Sequence, residues 1–478
     1  MKFDAEALNR ILGNQRESFR REGAVSVEVR KQHVSRMAIA LLDNINEIAD
    51  ALNADYGTRP AALTKAFEAV AWSQDILHML GELESWMEST PVPGGFVQNK
   101  PKGVVGIVGA WNFPITLTFE PAMAALAAGN RVMLNYSEFH PRTGKLLSDI
   151  MKDAFPEEVV AFIHGDLETA QAFGKLQFDH LFFTGSPKVG SIISAEAGRN
   201  LVPVTMELGG KNPVVVAPSA DLDLASRRVA ATRMLNSGQI CLCPDYVFVH
   251  RNQLGEFVDG VVSNWKQFYP AYLDNDAAVS IINDANYGRV CGLVEDAVAQ
   301  GAKAVSVVPD GEQGQLPNKA ARKIAPTLLL DVPESARIAR EEVFGPVLSV
   351  YAYDDIAEVI EYVNSRPSPL AAYWYGQDDE IFRQFLDQTT SGGVTRNDAL
   401  VHALLPGAPF GGIGNSGSGA YHGKAGFDTF THRRTVAVAD RDQGVADTFV
   451  SGEALTPEAV LQVDAAIATV KTEFSRYL

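Results

Sequence analysis

The chain has 478 residues, 46% of them hydrophobic and 21% charged, the make-up of a globular protein too long for one core, so two or three domains are expected. Its formal net charge of −17, with no run of lysine and arginine, speaks against a nucleic-acid surface, because phosphates are held by clustered cations. Three cysteines, Cys241, Cys243 and Cys291, cannot close a disulfide framework and suit a reducing compartment, for which the cytoplasm is the default.

The first residues, Met1-Lys-Phe-Asp-Ala-Glu, are acidic where a secretory leader would be apolar. No stretch approaches the roughly 18 consecutive apolar residues of a membrane span, so no membrane partner is expected. Residues 1–90 read as helical. Met37, Leu41, Ile45, Ile48 and Leu52 recur every three or four positions, as do Leu63, Phe67, Val70, Leu77, Leu80 and Leu83. The segment 91–101 then breaks helicity with Pro91, Pro93 and Pro101.

From 103 to 207, β-branched runs at Gly103–Gly109, Arg131–Leu134, Val159–Ile163, His180–Phe183 and Val202–Met206 alternate with helical stretches. That alternation predicts a parallel sheet with helices on its faces. A second alternation runs from Val214 to about Val394, with strands near Val247, Val305, Leu328, Val347 and Tyr373. Two α/β domains would place the chemistry in the cleft between them. Beyond Arg434, Thr456-Pro457-Glu458 starts a helix whose stripe of Val460, Val463, Ile467, Val470 and Phe474 is expected to dock on the body or on a partner subunit.

Three segments carry the chemistry. Asn236-Ser-Gly-Gln-Ile-Cys241-Leu-Cys-Pro-Asp245 sets a cysteine after a Gly-Gln turn and before an apolar strand. Trp111-Asn112-Phe113-Pro114 offers a side-chain amide, and Met206-Glu207-Leu208-Gly209-Gly210-Lys211-Asn212-Pro213 a carboxylate. Alone, a free cysteine is more often a small buried hydrophobe, Asn112 a turn residue before Pro114, and Glu207 a solvated or paired acid. Together, thiol, carboxylate and amide make an acyl-transfer set.

These segments resemble the aldehyde dehydrogenase superfamily, in the same order along the chain and over roughly residues 5–436, nearest to its class 3 and coniferyl aldehyde dehydrogenases. The resemblance implies an α/β aldehyde dehydrogenase fold. A Rossmann-like dinucleotide-binding domain would span 1–82 and 102–207, an α/β catalytic domain 208–395, and oligomerisation segments 83–101 and 396–436. Residues 437–478 would form an extension, and the chain a homodimer. It further implies that Cys241 attacks a small-molecule aldehyde to give a thiohemiacetal, whose oxyanion is held by the Asn112 amide and the Cys241 N–H. Loss of hydride to the nicotinamide leaves a thioester, which Glu207 hydrolyses by activating water. Glu207 favours a free acid as product over transfer to coenzyme A.

One G-x-G-x-x-G match, Gly412-Ile-Gly414-Asn-Ser-Gly417, lacks both a preceding strand and a following helix. The better phosphate site is Phe182 to Gly190, where a strand ends in Gly185 and Ser186 before a helix with Pro187 in its first turn. The resemblance places Trp111, Gly185, Ser186, Gly190, Leu208 and Gly209 at the cofactor, and Glu342 and Phe344 at the nicotinamide ribose and ring. Where the family has Lys-Pro-Ser-Glu, this chain has Asn135-Tyr136-Ser137-Glu138. Asn135 brings no charge, Ser137 is retained, and Glu138 would accept from ribose hydroxyls and repel a 2′-phosphate. NAD is therefore favoured, with NADP left open.

For the substrate, the resemblance points to Thr116, Leu117, Glu120, Ile240, Leu242 and Phe410 along the aldehyde tunnel, with Asn397 and His402 shaping the groove. An aromatic, phenylpropanoid aldehyde such as coniferaldehyde is favoured, and a medium-chain aliphatic aldehyde competes. A non-catalytic relative with a weakened cofactor site is a further reading, for which Asn135 is the only hint. Cys243 makes a Cys-x-Cys with Cys241 but has no second ligand cluster, so no metal is expected and a packed thiol is its ordinary fate. Cys291 lies in a helical pattern and reads as core.

Overall fold

The computed structural model describes residues 3–439, 444–450 and 455–478. Two short strands, β1 (Thr90–Val92) and β2 (Gly95–Pro101), pair antiparallel after the N-terminal helices. The first alternating region gives β3 (Val104–Val108), β4 (Arg131–Tyr136), β5 (Val160–His164), β6 (His180–Gly185) and β7 (Val204–Leu208). They form one parallel sheet in the order β7-β6-β3-β4-β5. Register pairs Val108 with Asn135 and Gly185 with Leu208, so the cofactor candidates share the carboxyl edge of the sheet. That edge is where open α/β sheets bind ligands.

The second region gives β8 (Asn212–Val216), β9 (Pro244–His250), β10 (Lys303–Ser306), β11 (Thr327–Leu330), β12 (Val347–Tyr353), β13 (Ala371–Tyr375) and β14 (Gly393–Arg396). Their order is β10-β11-β12-β9-β8-β13-β14, parallel except for β10 at the edge. Every residue of β8 and β13 is buried. Helices covering both faces explain why these strands read as unbroken apolar runs. Finally, β15 (Gly417–Ser418) adds antiparallel to β7 at Glu207, and β16 (Thr431–Ala437) joins β2 in a three-stranded sheet.

Met1–Met87 with Lys100–His432 forms one compact unit, which holds both parallel sheets; Glu88–Asn99 with Arg433–Leu478 forms another. In the second unit, Thr456 caps a helix at Pro457–Phe474 as expected, but no residue of that helix is buried. Val463, Ile467 and Phe474 are 55%, 58% and 70% exposed, so the stripe is not covered by the described residues.

One helical stripe departs from its expected face. Val70 and Leu77 are 64% and 60% exposed, whereas Trp72, Ile76 and Met79 are buried. The cause is a π-helical turn at Ala66–Val70 between the α-helical segments Ala61–Lys65 and Ala71–Met87. An extra residue in one turn rotates everything after it by about 100°, and it points Glu68 inward.

Candidate active site

The backbone leading to Cys241 is held in an uncommon shape. Asn236, Ser237 and Gly238 lie at φ 49°, 51° and 73°. Non-glycine residues occupy that region only where their surroundings over-determine it. A Cβ at Gly238 would stand 2.3 Å from the Gly345 carbonyl, so only glycine fits there. Gln239, fully buried, fixes the turn by donating to the carbonyls of Asn236 (3.0 Å) and Ser280 (3.1 Å) and accepting from the Ile282 N–H (2.9 Å). Past the turn, the Asn212 amide donates to the carbonyls of Cys241 (2.7 Å) and Cys243 (3.0 Å), while its oxygen accepts from the Ala371 N–H (2.9 Å). One side chain thus ties the nucleophile loop to β8 and β13.

The loop bearing Asn112 is fixed just as firmly. Its carbonyl accepts from Arg59 Nη1 (2.9 Å), Tyr56 Oη (3.2 Å) and Asn236 Nδ2 (3.2 Å). Arg59 also donates to Asn236 Oδ1 (3.0 Å) and pairs with Glu68 Oε1 (2.7 Å), both ionic side chains being completely buried. The other Glu68 oxygen accepts from the N–H groups of Ile115 (2.9 Å) and Thr116 (3.1 Å). Asn112 and Asn236 therefore share one guanidinium. Sequence reading missed Arg59, Glu68 and Asn212 because their roles depend on contacts between separate segments, from 9 positions apart for Arg59 and Glu68 to 177 for Arg59 and Asn236.

Glu207 presents the opposite situation. It is 3% exposed, and neither carboxylate oxygen has a hydrogen-bond partner among the described residues. Burial raises its pKa well above the ordinary carboxylate range. Cys241 is half-buried, and its thiol is pushed up to about 12, chiefly by burial and then by the carboxylates of Glu342 and Glu207. A carboxylate whose affinity for protons is raised by burial, close enough to perturb the thiol, is placed to act as a general base beside the sulfur.

Glu342 is raised to about 8 by burial and by Asp245, and it accepts from the Gly210 N–H at 3.3 Å. Asp245 pairs with Lys211 and accepts from the Val343 N–H (2.9 Å), clamping the Glu341–Phe344 turn. Phe344, at φ 46°, meets Trp111 edge-on with ring centres 5.3 Å apart.

These residues fit a dinucleotide. Ser186 caps the helix Pro187–Arg199 at the end of β6, leaving first-turn amides at the sheet's carboxyl edge. Gly190 is required for that helix to approach β7, since a Cβ there would stand 2.6 Å from Leu208 Cδ2. Asn135 and Ser137 are buried and Glu138 half-buried at the end of β4. The Gly412–Gly417 segment, by contrast, is a short 3-10 turn leading into β15, and a Cβ at Gly417 would lie 2.4 Å from the Met206 carbonyl. Its glycines serve close backbone packing beside Glu207.

A cavity of about 870 Å³, its open mouth included, has Cys241 in its wall. Ile240, Leu242, Leu117, Glu120, Thr116 and Phe410 line it, as expected of tunnel residues. Phe67, Trp72 and Phe113 add further apolar surface, and the segment Leu404–Pro406 closes one side. His402 does not line it. Its ring stacks on Phe410 with centres 6.4 Å apart and shares a hydrogen bond with Thr395 Oγ1 (2.8 Å). Asn397 likewise serves the backbone, accepting from the Gly376 N–H (2.9 Å). His422, unremarked in the sequence, does reach the cavity.

A cysteine in an apolar tunnel, next to a desolvated carboxyl and a dinucleotide-binding sheet edge, defines an oxidoreductase that works through a covalent thioester. Residues 1–436 match the aldehyde dehydrogenase family, and the chain belongs to it. It is similar to a probable coniferyl aldehyde dehydrogenase of Caulobacter vibrioides, 41% identical over 440 residues and covering 90% of both chains. It is 35% identical to the dimeric NADP-preferring aldehyde dehydrogenase of Rattus norvegicus, over 88% of this chain and 92% of that one. Among solved structures, an aldehyde dehydrogenase C variant of Pseudomonas syringae with NAD+ and octanal superposes with a TM-score of 0.82 at 28% identity, over 92% and 90% of the two chains. The protein is an NAD(P)-dependent aldehyde dehydrogenase that oxidises an aldehyde. Among the described residues, no helix is long and apolar enough to cross a membrane.

Proposed function

We propose that this enzyme oxidises an aromatic, phenylpropanoid-type aldehyde to the free carboxylic acid, with Cys241 as nucleophile, Asn112 as oxyanion donor and Glu207 as base. The observation that carries the reading is the cavity. It joins Cys241 to a wall in which the rings of Phe67, Trp72, Phe113, Phe410 and Tyr421 stand beside aliphatic side chains such as Leu117, Ile240 and Leu404. Flat rings offer a flat substrate large contact area and favourable edge and offset contacts. Similarity to coniferyl aldehyde dehydrogenases at about 41% identity supports the same class.

In the chemical step, the aldehyde carbonyl enters the tunnel and Cys241, as the thiolate left when its proton passes to solvent, adds to the carbon. The Asn112 amide and the Cys241 N–H receive the negative oxygen. A dinucleotide held by Ser186, Glu342 and Phe344 would supply the hydride acceptor, so that the Cys241 adduct becomes a thioester. The resulting thioester on Cys241 is hydrolysed by water that Glu207 deprotonates, which releases the acid and restores the thiol. Loss of the lysine at Asn135, with Glu138 retained, favours NAD as the working cofactor. The free cysteines agree with a cytoplasmic enzyme, and the exposed β1 strand of the three-stranded sheet with a homodimer.

The test is steady-state kinetics with coniferaldehyde, benzaldehyde and hexanal, each with NAD and with NADP. The expected result is higher kcat/KM for coniferaldehyde with NAD. Hexanal exceeding both aromatic aldehydes would replace this reading with the aliphatic one, to which the octanal-bound relative belongs.

A further inference from the structure

We infer that the ion pair of Glu120 and His422 forms a hydroxyl-recognition subsite in the aldehyde tunnel, so that the enzyme selects aldehydes carrying a hydroxyl group away from the carbonyl. The inference rests on the reading of this cavity as the aldehyde tunnel. Four observations carry it.

First, two other polar groups of the tunnel wall are occupied. Thr116 Oγ1 donates to the Phe67 carbonyl (2.6 Å), and both Asp75 oxygens accept backbone N–H groups, from Gly407 (3.2 Å) and Gly423 (2.8 Å). Second, the Glu120–His422 pair is not. The side chains are 5% and 11% exposed, and the separation of His422 Nε2 from Glu120 Oε1 is 3.3 Å. The contact lacks hydrogen-bond geometry, so His422 Nε2 is a buried nitrogen without a hydrogen-bond partner. A buried polar group in that condition costs free energy until a partner arrives.

Third, the imidazole is held in place by a strained backbone. His422 lies at φ 70°, where a side chain is disfavoured, and the Asp75 carboxylate pins the Gly423 N–H immediately after it. The ring is sandwiched at 5.2 Å from Phe410 in a stack and 4.3 Å from Tyr421 edge-on. Strain of this kind persists where structure over-determines it, and it marks functional positions. Fourth, donor and acceptor stand together. Although burial opposes it, the carboxylates of Glu120 and Asp75 raise the His422 pKa above the ordinary value and favour imidazolium. A substrate hydroxyl needs both partners, donating its hydrogen to Glu120 and accepting one from His422. An unsubstituted chain would leave the pair dry, with His422 Nε2 still lacking a hydrogen bond.

The experiment compares matched pairs, 4-hydroxycinnamaldehyde with cinnamaldehyde and 6-hydroxyhexanal with hexanal, in the wild type and in Glu120→Gln and His422→Gln. The wild type is expected to favour the hydroxylated member of the better pair by about tenfold or more in kcat/KM, since a site built for a hydroxyl rejects the analogue lacking it. Each substitution should bring that ratio to within about threefold, with the loss concentrated on the hydroxylated substrate. A wild-type ratio near one, or ratios unchanged in both variants, overturns the inference. Should both variants fail to fold in thermal melts, the wild type decides alone: quenching of tryptophan fluorescence, with Trp72 in the tunnel wall, reports binding of 4-hydroxycinnamyl and cinnamyl alcohols. About tenfold tighter binding of the hydroxylated alcohol supports the subsite, and equal affinity removes it. Hexanal outpacing cinnamaldehyde would defeat the aromatic reading of the tunnel while leaving the hydroxyl comparison within each pair intact.

Discussion

The turn before Cys241 and the end of strand β7 at Glu207 lie close together and are built on opposite terms. Around the turn, the side chains of Gln239, Asn212, Asn236 and Arg59 are tied to backbone or to one another, and the peptide is forced into left-handed φ values. At Glu207, both carboxylate oxygens are buried and bare. The contrast follows from what each group must do. A nucleophile has to be aimed, and hydrogen bonds to its loop aim it at no cost to the sulfur. A base has to keep its proton affinity, and every hydrogen bond donated to a carboxylate would lower it. Isolation makes Glu207 a base; connection makes Cys241 accurate.

The connected side should show the largest effect when broken. Arg59→Met keeps the volume of the side chain and removes its charge, stranding Glu68 in a fully buried site and taking one donor from the Asn112 carbonyl and one from Asn236 Oδ1. Breaking a buried pair from one side costs about 3–5 kcal/mol. Urea unfolding should register most of that loss, and whatever remains folded should turn over slowly because the oxyanion loop is no longer fixed. A loss below about 1 kcal/mol would mean that the pair is not a structural support.

The isolated side should respond without loss of fold. Glu207→Gln removes the base and inserts an amide into the same space. A single-turnover burst of reduced nicotinamide should survive while steady turnover falls by about 10²-fold or more. With Glu207 intact, kcat should fall as pH is lowered. A carboxyl whose pKa is raised takes up its proton at higher pH than usual, and in that form it cannot accept one from water. A Glu207→Gln variant as fast as the wild type would place the base elsewhere.

How legible this was differed between the two sides. Cys241, Glu207 and Asn112 were visible because each stands in a short, local segment, and the two sheets because strand and helix periods alternate along the chain. Arg59 and Asn212 were invisible, since they fix the site through the Asn112 carbonyl 53 positions away and the Cys241 carbonyl 29 positions away. Val70 falls in the helical recurrence that runs from Leu63 to Leu83 yet lies exposed; the π turn at Ala66–Val70 breaks that period and gives no sequence signal. His402 and His422 changed places for a similar reason. Both are histidines near glycine-rich loops whose rings stack on Phe410, and the left-handed backbone at His422 goes with the one that reaches the cavity.

The smallest effect separates the two sides within a single tripeptide. Cys241 and Cys243 flank Leu242, and burial raises both thiols, to about 12 and about 11. By acidity alone Cys243 would be the more reactive. Access reverses that order: Cys243 is 3% exposed with its Sγ donating to the Thr232 carbonyl at 3.5 Å, whereas Cys241 opens on the cavity. Iodoacetamide should therefore label the Cys241 peptide selectively. Because only thiolate reacts, the rate should climb roughly tenfold per pH unit between pH 7 and 9. A rate already flat across that range would show that the thiolate exists at neutral pH, and desolvation would no longer explain the resting thiol. Equal labelling of Cys243 would show that the turn held by Gln239 and Asn212 opens in solution, and the rigidity assigned to the nucleophile's side of the site would fall with it.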